Sequence, residues 1–218
     1  MIQETQDTLE GRTSRNISVI LSPQGYPTGK GELSDYTSLF QARDDISRNP
    51  IQLFGGWMRG WSNEKPYSHL GWRHEESVGH TVYREMIEEL GLALREVLLL
   101  PFPRIEDYNL FQDKSSSPLV YLAWAGIDPS VIGSKTRVEP SSEVPGKLNL
   151  REGSYMDLYT LDGSILDRNL YENDRRMMEI LFKHWKAMIS GAVKIDLNGL
   201  QFPKEVQEDL EAKIRVRA

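Results

Sequence analysis

Three glutamates, Glu85, Glu88 and Glu89, fall within one helical turn of each other, with Arg84 beside them and Glu76 eight residues upstream. If residues 78–90 form a helix, the three carboxylates share a face, because i, i+3 and i, i+4 positions are neighbours. Like charges so crowded repel by a few tenths of a kcal/mol per exposed pair. A helix built only for stability would avoid them. A hard divalent cation offsets the repulsion, and carboxylate oxygens are ligands that Mg²⁺ prefers. Mg²⁺ also takes substrate phosphates as ligands, so such a cluster can bridge protein and diphosphate. Arg84, four residues before Glu88, can hold a carboxylate in place. The competing reading is a solvated acidic helix face.

The flanking residues supply the helix that would carry these groups. Ser77 is a suitable N-cap, since its hydroxyl can accept from a free backbone N–H of the first turn. Val78, Val82, Met86 and Leu90 recur at i+4 and form an apolar stripe. Gly91 is free to turn left-handed at the C-terminal end.

Written as a pattern, the stretch is E-x7-R-E-U-x-E-E-x-G-U, with U a bulky apolar residue. Six polar or glycine positions match (Glu76, Arg84, Glu85, Glu88, Glu89, Gly91), with chance odds on the order of 10⁻⁵ from average composition. The pattern resembles the box of the Nudix hydrolases, which cut a diphosphate bond in nucleoside diphosphate derivatives. The resemblance implies an α/β fold, a mixed β-sheet sandwiched between α-helices. It implies hydrolysis dependent on Mg²⁺ or Mn²⁺, with Glu85, Glu88 and Glu89 holding the metals and the backbone near Gly55–Gly56 as a carbonyl ligand. Arg84, with Glu76, would orient the carboxylates. Glu152, in a late segment that resembles the family's, is the candidate to position or deprotonate the water, with Glu143 second.

The chain departs from the family in one place. The glycine that opens the box is Leu70 here, and Gly71 is one position off. Ile51-Gln52-Leu53-Phe54-Gly55-Gly56 looks like the opening strand and glycine pair instead. The segment 57–75 would then contain an insertion of about a dozen residues, uncommonly long for a loop. It carries Trp57, Trp61, Tyr67 and Trp72, with Arg59 among its cations. Such side chains beside a phosphate site could stack a base and neutralise phosphates, so Trp57, Arg59, Trp61 and Trp72 are substrate-binding candidates. The alternative is an aromatic plug over the sheet. His69 and His74, with no cysteine in the chain, read as polar or packing residues rather than zinc ligands.

Composition bounds the rest. The chain has 218 residues, 39% hydrophobic and 27% charged, as in ordinary globular proteins. No apolar run approaches membrane-spanning length, and Met1–Asn16 lacks a signal-peptide pattern. Cysteine is absent. These features favour a cytoplasmic protein. A net charge of −6 argues against a binder of nucleic-acid polymers but not against a nucleotide substrate, whose charge a metal can offset.

Along the chain, residues 1–15 read as a loose N-terminus, 16–192 as the catalytic domain and 193–218 as a helical extension. Strands are expected at 17–21, 38–43, 51–54, 97–100, 109–111, 119–125 and 156–161. The strand at 119–125 is apolar without alternation and therefore central. Residues 126–147 read as loop. Met177, Leu181, Trp185 and Met188 mark a helix over 172–190, stopped by Gly191, with the methionines as core filler. Pro203–Val216 reads as an amphipathic helix that packs on its own domain or on a second subunit, as a homodimer. The expected activity is cleavage of a nucleoside diphosphate linked to another moiety, such as ADP-ribose, a nucleotide sugar or a dinucleotide. Two rivals stand against it. One is the related isopentenyl diphosphate isomerase, which needs a cysteine this chain lacks. The other is a non-catalytic sensor that binds a nucleotide metabolite.

Overall fold

The computed structural model describes residues 12–42, 50–61, 74–102, 119–128, 138–140, 148–150 and 155–215. The strands are β1 (Arg12–Ser22), β2 (Thr37–Ala42), β3 (Ile51–Gln52), β4 (Phe54–Trp61), β5 (His74–Glu75), β6 (Glu96–Leu100), β7 (Leu119–Gly126), β8 (Val138–Pro140), β9 (Leu148–Leu150), β10 (Tyr155–Thr160) and β11 (Val193–Asp196). The helices are α1 (Val78–Glu85), continued by a π-helical turn over Met86–Leu90, α2 (Glu172–Ser190) and α3 (Lys204–Arg215). One sheet has the order β11-β6-β7-β1-β4-β5 and the other β3-β2-β10-β9-β8. β1 and β7 run parallel, while β1 and β4 are antiparallel, so the larger sheet is mixed.

Alternation along the central strands decides what covers each face. On one side, Ile17, Val19 and Leu21 of β1 meet Val82, Met86 and Leu90 of the box helix. On the other, Ile20 of β1 and Leu122 and Trp124 of β7 meet Met177, Leu181, Trp185 and Met188 of α2. Period-two strands and period-3.6 helices thus interlock as a mixed sheet between helices, an α/β fold. Both faces of β7 are buried, as its unbroken apolar run requires. A third, small cluster of Ile87, Val206 and Leu210 docks α3 on the outer side of the box helix. The C-terminal helix therefore packs on its own domain.

Several elements differ from expectation. β1 starts at Arg12, inside the segment expected to be loose. The strand that enters the glycine pair does not stop there. β4 runs through it to Trp61 and turns back as β5, with Gly60 paired to Glu75 and Trp61 to His74. Trp57 and Arg59 are thus strand residues, not loop residues. Residues 138–140 and 148–150 form strands where the prolines suggested loop at 138–140. β11 is a largely exposed edge strand of four residues, and its alternation Val193-Lys194-Ile195-Asp196 is too short to stand out as a period in the sequence. The strand expected at 109–111 lies outside the described residues.

Candidate functional site

Ser77 caps α1 by accepting from the His80 N–H at 3.3 Å, and Glu76 sits just before it, almost fully buried. Arg84, on the buried side of the helix, reaches back to it. Its Nε donates to Glu76 Oε1 at 2.6 Å and Nη2 to Glu76 Oε2 at 2.9 Å. Nη2 also donates to the Trp57 carbonyl at 2.8 Å. Nη1 donates to Glu85 at 2.7 Å and to Glu88 at 2.8 Å. That engages all five guanidinium donors. Burial opposes the charge, but the Glu76 hydrogen bond and the fields of Glu85, Glu76 and Glu88 outweigh it and push the Arg84 pKa up. Glu76 also accepts from the Arg59 N–H and the Thr81 hydroxyl, tying the helix start to β4.

Beyond Glu85 the helix widens into the π turn, and Gly91 ends it at φ +67° with its N–H donating to Ile87 O at 2.9 Å. π turns are rare and often sit at functional sites. Here the wide turn accompanies a division of the three box glutamates. Glu85 and Glu89 line a cleft of about 360 Å³. Glu88 turns aside, to Arg84 and to Lys213 of α3 at 3.1 Å, with Arg59 at 3.7 Å. The ring of cations shows in its acidity: burial raises the Glu88 pKa, but Arg84, Arg59 and Lys213 together hold it below the usual value.

The glycine pair fits around the two cleft carboxylates. Gly55 takes φ +133°, and a Cβ there would lie 2.1 Å from the Ile17 carbonyl oxygen across the β1 pairing. Its N–H donates to Glu89 Oε2 at 3.1 Å, and Gln41 donates to Glu89 Oε1 at 3.1 Å. A Cβ on Gly56 would lie 2.4 Å from Glu85 Oε1, so only glycine lets that carboxylate lie against the strand. Burial first, then the nearby Glu85 charge, pushes the Glu89 pKa up to about 8. Burial likewise raises Glu85, against the pull of Arg84. Two carboxyls side by side, each resisting its own charge, form an electrostatic demand for a cation.

Among the described residues no three His, Cys, Asp or Glu side chains converge on one metal-sized point. The chemistry of the pair nonetheless fits Mg²⁺ or Mn²⁺. Mg²⁺ binds through one or two carboxylates and fills its shell with water and substrate phosphates, and Glu85 and Glu89 supply two oxygen-donor groups at the cleft. Glu88, the third expected ligand, is committed to cations in this arrangement.

Trp57 and Arg59 line the same cleft. Trp61 is described as a strand residue only. Trp72, Tyr67, Glu152 and Glu143 lie outside the described residues. The cleft also holds a group that spacing did not single out. Asp174, in the first turn of α2, is buried and lines it, accepting from the Leu53 N–H at 2.9 Å and the Ser18 hydroxyl at 3.3 Å. Burial pushes its pKa up to about 7, against those two hydrogen bonds. In the sequence it is one acid in an ordinary helix first turn. Gln41 and Lys213 carry no signal in sequence either.

No protein-family model matches this chain, and no curated protein does. Among solved structures the chain is similar to one from a structure and function study of MutT from the fish pathogen Aliivibrio salmonicida and from Vibrio cholerae. The identity is 13%, over 78% of this chain and 97% of that chain, with a TM-score of 0.41. A superposition that loose carries no argument about family or activity. No helix among the described residues is long and apolar enough to cross a membrane.

Proposed function

We propose that this protein is a divalent-metal-dependent hydrolase of the Nudix type, acting on the diphosphate bond of a nucleoside diphosphate linked to another moiety. The observation that carries the reading is the pairing of Glu85 and Glu89 on one cleft wall, against a glycine pair that leaves room for them. Like charges placed together in a buried wall raise each other's pKa, and an enzyme tolerates that cost where a cation and a phosphate are to be bound. Glu85 and Glu89 are the groups that would hold Mg²⁺ or Mn²⁺. When bound, the metal polarises the diphosphate and lowers the pKa of a coordinated water.

The chain's own residues do the rest. Arg84 fixes Glu85 in place and ties Glu76 to both Trp57 and the helix. Gln41 and the Gly55 N–H orient Glu89. Arg59, on the cleft wall, faces the substrate's phosphates as a cation, and Trp57 offers a ring beside them for the base or the second group. The alternating supports, a backbone N–H here and a buried side chain there, keep the carboxylates in one geometry before substrate arrives, which is how preorganised sites lower a barrier.

The test is a panel of ADP-ribose, nucleotide sugars, dinucleoside polyphosphates and nucleoside triphosphates, with and without Mg²⁺ or Mn²⁺, scored by monophosphate or pyrophosphate release. Metal-dependent turnover of one class supports the reading. Tight metabolite binding with no turnover in any arm would instead make the protein a sensor, and neither binding nor turnover would sink the reading.

A further inference from the structure

Unlike Glu85 and Glu89, Glu88 does not line the cleft, and part of what holds it comes from the far end of the chain. Its Oε2 accepts from Arg84 Nη1 at 2.8 Å. Its Oε1 accepts from Lys213 Nζ at 3.1 Å, while Arg59 Nη1 stands 3.7 Å from that same oxygen. Lys213 and Arg59 approach from different elements. Arg59 is on β4 at the cleft wall. Lys213 is on α3, where Val206 and Leu210 are buried against Ile87, the residue next to Glu88. The ammonium is further fixed by Asp209, one turn back, at 2.8 Å. The Lys213 side chain is 31% exposed and that of Glu88 19%, so solvent screens this contact less than it would a bridge on the open surface.

One carboxylate oxygen therefore faces two cations, and the nearer one is Lys213. An oxygen that already accepts from an ammonium attracts a guanidinium less strongly. We propose that Lys213 is a positioning residue: by occupying Glu88 Oε1 it keeps Glu88 from drawing Arg59 off the cleft wall, where Arg59 binds the substrate's phosphates. The inference rests on the reading of the cleft as a diphosphate site. It makes the C-terminal helix part of the substrate-binding apparatus, although none of its described side chains lines the cleft.

The proposal sets a pattern of effects. Lys213→Met keeps chain length and removes the charge. Arg59 then closes on Glu88, and affinity for a diphosphate falls about 2- to 5-fold, the factor expected when one exposed charge contact is lost or turned away. Lys213→Arg, which keeps the charge, recovers most of the affinity. Because a phosphate contact is made in the ground state and the transition state alike, KM rises and kcat changes little. Arg59→Met weakens binding by at least as much, and adding Lys213→Met to it costs nothing more.

The experiment is calorimetric titration of inorganic pyrophosphate with Mg²⁺ into the full-length wild type, both Lys213 variants, Arg59→Met and the double variant. Urea unfolding of each runs alongside, with KM and kcat on the best substrate of the panel. Non-additive losses at Lys213 and Arg59, with rescue by arginine, support the assignment. A merely structural Lys213 would weaken binding equally in the Arg59→Met background, and that result overturns it, as does Lys213→Met binding pyrophosphate like the wild type. A wild type that neither binds pyrophosphate nor hydrolyses any of the panel overturns the reading of the cleft and this assignment with it. Additive losses in a protein that does bind overturn the Lys213 assignment alone.

Discussion

Adding one methyl group at Gly56 separates function from folding. Gly56 has an ordinary backbone conformation, so alanine imposes no left-handed strain there. Its Cβ would stand 2.4 Å from Glu85 Oε1, 2.6 Å from Cδ and 2.9 Å from Oε2. Normal non-bonded contacts lie near 3.5 Å, so the carboxylate must retreat by about 1 Å. It is the far end of a flexible side chain, and the retreat loosens the 2.7 Å contact with Arg84. A charge-assisted hydrogen bond contributes about 1.5–3 kcal/mol, which caps the stability loss. Misplacing a catalytic group by that distance costs on the order of 10²-fold in rate. Gly55→Ala is the control. There the methyl would meet the Ile17 backbone oxygen at 2.1 Å, at φ +133°. Backbone strain of about 1–3 kcal/mol adds to a forced separation of β1 from β4, so that variant should lose well over 3 kcal/mol. Urea unfolding and steady-state turnover of the two variants decide the matter. Gly56→Ala should fold with a stability loss of no more than about 3 kcal/mol and lose about 99% of its kcat. Wild-type turnover in Gly56→Ala, or an unfolding midpoint as low as that of Gly55→Ala, refutes the placement of Glu85 against the strand.

Four further outcomes follow from the same geometry. Glu89→Gln keeps size but removes a metal-binding carboxylate, and its single amide oxygen cannot accept both the Gly55 and the Gln41 N–H, so turnover should fall at least ~10²-fold with saturating Mg²⁺ and stability by about 1–3 kcal/mol; full activity would remove Glu89 from the metal site. Arg84→Met strands the buried Glu76 carboxylate without its partner, a loss of about 3–5 kcal/mol and a Tm drop on the order of 10 °C, and an unchanged Tm by calorimetry would contradict it. Asp174 has a folded pKa of about 7 against 3.8 unfolded. The folded chain therefore binds the extra proton between those values, and stability falls as pH rises through that window, by up to about 4 kcal/mol at about 1.4 per unit. Asp174→Asn should flatten that part of the slope in urea unfolding between pH 4 and 8, and an identical slope would show that Asp174 titrates normally. Trp57→Ala should raise KM roughly 5- to 150-fold, the equivalent of ~1–3 kcal/mol of stacking, with kcat little changed; an unchanged KM assigns the ring to packing.

The sequence by itself determined whatever is written in short-range periodicity. The cap at Ser77, the stripe Val82-Met86-Leu90, the left-handed stop at Gly91, the central strand at 119–125 and the two C-terminal helices all appear within a residue of where spacing put them. Each depends on residues within a few positions of one another. The grouping of Arg84, Glu85, Glu88 and Glu89 was legible for the same reason, whereas the place of Glu76 beside Arg84 was implied only by the resemblance of the box. Which way each carboxylate faces was not. Spacing put Glu85, Glu88 and Glu89 on one face, but the π turn and the cations of β4 and α3 send Glu88 elsewhere. The partners that decide this come from afar: Gln41 lies 48 residues from Glu89, Asp174 lies 121 from Leu53 and Lys213 lies 125 from Glu88. No local pattern encodes such pairs, because they meet only when β2, the start of β4, the box helix, α2 and α3 have packed. The glycine pair shows both levels at once. Two adjacent glycines announce a close approach, but only the register of β1 on β4 shows that Gly55 must clear a backbone oxygen, and only the packing of the box helix on β4 that Gly56 must clear a carboxylate.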